Sequence, residues 1–127
     1  MDTPHGPFTI LLAEDEAMVR MVAIETLQDA GYTVLEAADG NEALETLQSI
    51  ARIDLLVSDV KMPGLNGYQV AELGLALRPG LRVVLMTGYA QDPIPKVLAD
   101  AGTHVLYKPF NLEQLTETVD VILRPRP

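Results

Sequence analysis

The chain has no cysteine and no tryptophan, and only nine lysines and arginines against eighteen aspartates and glutamates. Without cysteine there is no disulfide framework, no thiolate metal site and no thiol nucleophile. The shortage of basic residues, with a net charge of −9, argues against a nucleic-acid surface, because phosphate contact needs a basic patch. It favours solubility, bound cations or a partner with a basic face. No apolar run approaches the ~20 residues that a membrane span requires. Met1 to Pro7 also lacks the charged-then-apolar layout of a signal peptide. A soluble, cytoplasmic domain is expected. The two histidines, His5 and His104, have no metal-ligand spacing, and no glycine-rich phosphate loop follows the first apolar run.

What is present fits one folded unit. The 127 residues are 48% hydrophobic and 21% charged, a globular profile with enough chain for a single core. Residues 1–7 are expected to be a loose leader, 8–123 the domain and 124–127 a short tail. Five apolar runs read as buried strands: Phe8 to Ala13, Tyr32 to Ala37, the run around Leu55 to Val57, Arg82 to Thr87, and His104 to Tyr107. Between them lie helical patterns. Met18, Val19, Val22, Ala23, Thr26, Leu27 and Ala30 form the first, stopped by Gly31. Ala43, Leu44, Leu47 and Ile50 form the second, with Asp39 offering a cap. Gly67 opens a third through Val70, Ala71, Leu73 and Leu77, and Gly74 within it costs roughly 1 kcal/mol relative to alanine. Pro93 and Pro95 confine the fourth to about Ile94 through Ala101. Asn111 caps a fifth with Leu112, Leu115, Val119 and Ile122 inward. Strands alternating with helices mean a parallel sheet covered on both faces. The expected fold is α/β, a flavodoxin-like doubly wound (βα)5 sandwich with strand order 2-1-3-4-5.

In that order the carboxyl ends of strands one, three, four and five converge, and they carry Glu14 and Asp15, Asp59, Thr87 and Lys108. Each has an ordinary explanation by itself: helix-dipole partners, a carboxylate satisfying loop amides, a β-branched strand residue, a solvated cation. Four strands ending by accident in polar residues of fitting type is the less economical account. Three close carboxylates repel one another and demand a cation, and oxygen-only ligation favours Mg2+, with Mn2+ able to replace it. Asp59 then becomes a carboxylate nucleophile for phosphoryl transfer, with Lys108 offsetting charge and Thr87 donating to a transferring oxygen.

These residues resemble a response-regulator receiver domain, the phosphoacceptor half of two-component signalling. The matching pieces are Leu11-Leu12-Ala13-Glu14-Asp15-Glu16, Asp59-Val-Lys-Met-Pro-Gly-Leu-Asn-Gly67, Met86-Thr87-Gly88-Tyr89-Ala90 and Tyr107-Lys108-Pro109-Phe110. The resemblance implies that Asp59 takes a phosphoryl group from a histidine kinase or phosphotransfer protein. It implies Mg2+ held by Glu14, Asp15, Asp59 and the Val60 or Lys61 carbonyl, a Thr87 that moves toward the phosphoryl group, a Lys108 that pairs with it, and a cis bond before Pro109. The only reactions implied are the domain's own phosphorylation and dephosphorylation. A homodimer would use the last two helices and the fifth strand.

The chain also departs from the family. Glu14 replaces a common aspartate. Val105 occupies the place of an aromatic switch residue three positions before the lysine; strand alternation is expected to point His104 and Tyr107 away from its face. Lys61 and Tyr89, each two residues beyond Asp59 and Thr87, flank the expected path of attacking water. The competing functions are a receiver-like module that binds without phosphorylation, and a small Mg2+-dependent phosphatase with an aspartyl intermediate. The phosphatase would want a second acid where Lys61 stands.

Overall fold

The computed structural model describes residues 7–88 and 93–124. The central sheet is parallel and has five strands: β1 (Thr9–Ala13), β2 (Thr33–Ala37), β3 (Leu55–Asp59), β4 (Arg82–Thr87) and β5 (His104–Tyr107). Its order is β2-β1-β3-β4-β5, as the alternation predicts. β3 is buried along its whole length because strands flank it on both edges and helices cover both faces.

Five helices follow the strands in turn: α1 (Ala17–Asp29), α2 (Gly40–Gln48), α3 (Gly67–Leu77), α4 (Lys96–Asp100) and α5 (Leu112–Leu123). Alternation along the strands divides the core in two. Leu11, Leu56, Val83 and Leu85 pack with α2, α3 and α4, whereas Ile10, Val57, Val84 and Met86 pack with α1 and α5. The helix starts follow the expected chemistry. The Asp39 side chain accepts from the Glu42 amide, and Asn66 with Gln69 and Asn111 with Gln114 form reciprocal capping boxes.

The helix faces differ from expectation in several places. On α1 only Ala23 and Leu27 are fully buried, and Met18, Val19 and Val22 lie on the surface, Met18 at 73% exposure. At 100° per residue Met18 and Val22 turn away from the Ala23–Leu27 stripe, whereas Val19 lies one turn before Ala23, near the N-terminal end of the helix. α2 ends at Gln48, so Ile50 is fully exposed beyond it. Leu73, Leu77 and Leu112 are also exposed, at the margins of their helices. α4 begins only at Lys96, because Pro95 occupies the N-cap position, and it is five residues long.

Gly74 has a packing reason. A Cβ there would lie 3.0 Å from Leu81 Cδ2 and 3.2 Å from Leu47 Cδ1, so glycine lets α3 settle closely against its neighbours. Among the described residues, no helix is long and apolar enough to cross a membrane.

Candidate phosphoacceptor and metal site

The sheet register sets out the site as a staircase. Ala13 pairs with Ser58, Asp59 with Met86, and Thr87 with Tyr107, so Glu14, Asp59, Thr87 and Lys108 come level at one edge. The ladder continues one step past the strands: the Glu14 amide donates to Ala37 O at 3.1 Å, Val60 to Met86 O at 3.0 Å, and Lys108 to Thr87 O at 2.8 Å. The backbone is therefore fixed on both sides of each functional side chain.

The predicted site residues meet there. Lys108 Nζ donates to Asp59 Oδ2 at 3.0 Å. Glu14, Asp15 and Asp59 each offer a carboxylate oxygen, all within 4.8 Å of one another. Thr87 is buried beside them, and Asp15, Asp59, Lys61, Thr87 and Lys108 are among the walls of a cleft of about 470 Å3. The Lys108–Pro109 bond is cis. Tyr89 lies outside the described residues.

Two acids that the sequence presents as equivalent neighbours differ sharply. Asp15 is exposed, but Glu14 is only 1% exposed. Its Oε2 accepts the Glu16 amide at 3.0 Å, while its Oε1 is buried without a hydrogen-bond partner. Burial above all, reinforced by the Asp59 charge, pushes its carboxyl up from 4.5 to about 7, against the lowering pull of the Glu16 amide and Lys108. An orphaned buried carboxylate oxygen beside two further carboxylates, with no histidine or thiolate, fits a hard divalent cation.

The raised Glu14 pKa predicts how metal-free stability varies with pH. Between 4.5 and about 7 the folded state holds a proton that the unfolded chain has released. Stability from this group is thus complete below 4.5 and lost as pH rises through about 7. The loss is at most ~3 kcal/mol. Thermal unfolding in chelator, native chain against Glu14→Gln, should show a difference that grows over this range and shrinks with Mg2+. A difference independent of pH would refute the assignment.

Strand β5 requires a correction. Residues two apart share a face, so Tyr107 points to the same side of the sheet as Val105, and His104 to the other. The expectation that both differ from Val105 holds only for His104. Tyr107 is 47% exposed and pairs directly with Thr87, whose face it shares.

Residues 10–120 match the family model described as the response regulator receiver domain. Over 120 residues the chain is 42% identical to the sensor kinase CckA of Brucella abortus, which covers 93% of this chain but only 13% of that protein. It is 34% identical over 115 residues to the response regulator receiver protein CpdR of the same organism, covering 90% of this chain and 95% of that one. The response regulator protein TrrA of Thermotoga maritima superposes with a TM-score of 0.79 at 31% identity, covering 91% of this chain and 99% of TrrA. A strand-end acid cluster, an aspartate paired with a lysine and the β2-β1-β3-β4-β5 sheet thus coincide with a match over most of the sequence: the chain belongs to the receiver domain family of two-component systems.

Proposed function

We propose that this receiver takes a phosphoryl group onto Asp59 from a phosphohistidine of a kinase or phosphotransfer protein and thereby changes its binding to an output partner. The observation that carries this reading is the 3.0 Å Lys108–Asp59 pair, set where Glu14 and Asp15 add two carboxylates. In the transfer, an Asp59 carboxylate oxygen attacks phosphorus as the phosphorus–nitrogen bond of the donor breaks, and the electron pair leaves with the imidazole. Lys108 follows the developing negative charge, and the Thr87 hydroxyl donates to a phosphoryl oxygen.

Glu14, Asp15 and Asp59 would hold Mg2+, or Mn2+ in its place, and the ion would neutralise charge on the transferring oxygens. For the backbone ligand the choice falls on Lys61, because the Val60 carbonyl already accepts the Gly67 amide at 2.8 Å. TrrA was solved in complex with Mg2+–BeF; the acids, Thr87 and Lys108 of this chain suit the same pair of groups. A protein donor would approach beside the exposed Met18, Val19 and Val22 of α1, which starts immediately after the acidic turn. With valine at position 105, Tyr107 is the aromatic ring placed to register a Thr87 movement, being its cross-strand neighbour.

The test is intact-mass spectrometry after incubation with acetyl phosphate. The expected result is gain of one phosphoryl group that requires Mg2+ and is removed by hydroxylamine, as an acyl phosphate must be. If no gain occurs, and beryllium fluoride with Mg2+ also fails to bind, the phosphoacceptor reading is wrong. The chain would then be a receiver-like module acting through unmodified surfaces.

A further inference from the structure

Arg20 lies in the second turn of α1 and has two acceptors. Its Nη1 donates to the backbone carbonyl of Glu14 at 2.8 Å, and its Nε to Glu36 Oε1 on β2 at 3.2 Å. Its side chain is 17% exposed. The Glu14 amide, in turn, donates to the carbonyl of Ala37 on β2 at 3.1 Å. Both backbone polar groups of this buried residue are therefore tied to β2, one directly and the other through Arg20 and Glu36. The amide of Arg20 also donates to Glu16 O at 2.9 Å, which joins the turn to the start of α1. The Glu16 side chain makes no cap bond to α1, and at this helix start it is the Glu14 carboxylate that accepts the Glu16 amide.

We propose that Arg20 is a positioning residue for the cation site: it fixes the turn after β1 so that Glu14 and Asp15 present their carboxylates toward Asp59. The proposal rests on the reading of that cluster as a Mg2+ site. Arg20 would touch neither metal nor phosphoryl group, and acts on the main chain of a ligand, as outer-shell partners do on ligand side chains.

The sign of its effect separates positioning from charge. A guanidinium near three carboxylates opposes a divalent cation by Coulomb repulsion, so if charge were all that mattered, Arg20→Gln would tighten Mg2+ binding. If Arg20 positions the turn, the same change weakens binding, by roughly tenfold, the low end of what loss of an outer-shell partner costs. Arg82→Gln is the control. Arg82 also donates to a backbone carbonyl, Ile122 O at 2.6 Å, but at the opposite end of the sheet.

The experiment is calorimetric titration of the full chain with MgCl2, together with amide exchange of the metal-free protein. Arg20→Gln should weaken Mg2+ and speed exchange at Glu14 and Glu16, Arg20→Lys should recover part of both, and Arg82→Gln should change neither. Phosphorylation by acetyl phosphate should need more Mg2+ in Arg20→Gln but reach the native rate at saturation. Unchanged or tighter Mg2+ binding in Arg20→Gln, or equal weakening in Arg82→Gln, overturns the proposal. If the native chain binds no Mg2+, the reading of the cluster fails, and the exchange data alone decide whether Arg20 holds the turn.

Discussion

Asp59→Asn should leave the chain unable to take up a phosphoryl group at any Mg2+ concentration, and should raise its melting temperature in chelator. The first effect follows from chemistry: the amide keeps the shape of the side chain but has no nucleophilic oxygen to offer. The second follows from local charge. Asp59 is 5% exposed and shares a 4.8 Å cluster with Glu14 and Asp15, set against its ion pair with Lys108. At an effective dielectric constant near 20 each close pair is worth on the order of 3–5 kcal/mol before screening. Two repulsions therefore outweigh one attraction, and the lysine side chain, 34% exposed, keeps water to solvate it once unpaired.

Most of that difference is lost to screening by solvent, so the net gain is about 1 kcal/mol, or roughly 4 °C in a domain of this size. The comparison belongs at pH 8, where Glu14 is ionised in the folded chain. Added Mg2+ should then stabilise the native chain more than the variant, because the variant lacks one of three anionic ligands. A lower melting temperature in chelator would mean that the Lys108–Asp59 pair dominates the cluster. Residual labelling would move the acceptor to another residue.

The strand order and the site were legible in the sequence for one reason. Parallel strands read as short apolar runs, and a doubly wound sheet brings their carboxyl ends together, so Glu14, Asp59, Thr87 and Lys108 could be placed at one edge by counting. Counting fails where the answer depends on how much of an element its neighbours cover. Met18, Val19 and Val22 obey a helical period, yet a 13-residue helix lying on a sheet buries only the strip around Ala23 and Leu27. The start of α4 depended on whether Pro95 caps the helix or enters it. Tyr107 needed only a correct use of the two-residue period from Val105, which was open to the sequence.

The asymmetry between Glu14 and Asp15 was not legible. Three consecutive acids look solvated, and only the folded chain shows that the first is buried while the next stays in water. Arg20 was hidden for the same reason. Its role depends on the carbonyl of a residue six positions earlier, and that carbonyl faces it only once α1 has folded back along β2.

Gly67→Ala should cost more stability than any other single methyl added at a glycine in the described part of α3, and should impair phosphorylation beyond that loss. Gly67 begins α3 and sits directly on the end of β3. A Cβ there would lie 2.3 Å from Asp59 O, 2.8 Å from Val60 Cα and 3.0 Å from Asp59 C. All three are backbone atoms, so no rotamer change can relieve the clash; either α3 must lift or the end of β3 must yield. The Gly67 amide is bonded to Val60 O at 2.8 Å, which ties both segments to the same contact.

Overpacking of this kind costs about 2–3 kcal/mol, a fall in melting temperature on the order of 10 °C. Displacing Asp59 by even ~1 Å from its partners is enough to slow a reaction ~100-fold. Gly74→Ala is the contrast, because its Cβ would meet only the ends of Leu81 and Leu47 side chains, which can turn aside. Its gain in helix propensity, roughly 1 kcal/mol, offsets the crowding, and labelling by acetyl phosphate should stay at the native rate. Thermal unfolding and labelling rates of the two variants, measured well below their melting temperatures, separate the effects. If Gly67→Ala labels at the native rate when folded, the contact between α3 and the strand end supports the fold alone and does not set the position of the acceptor.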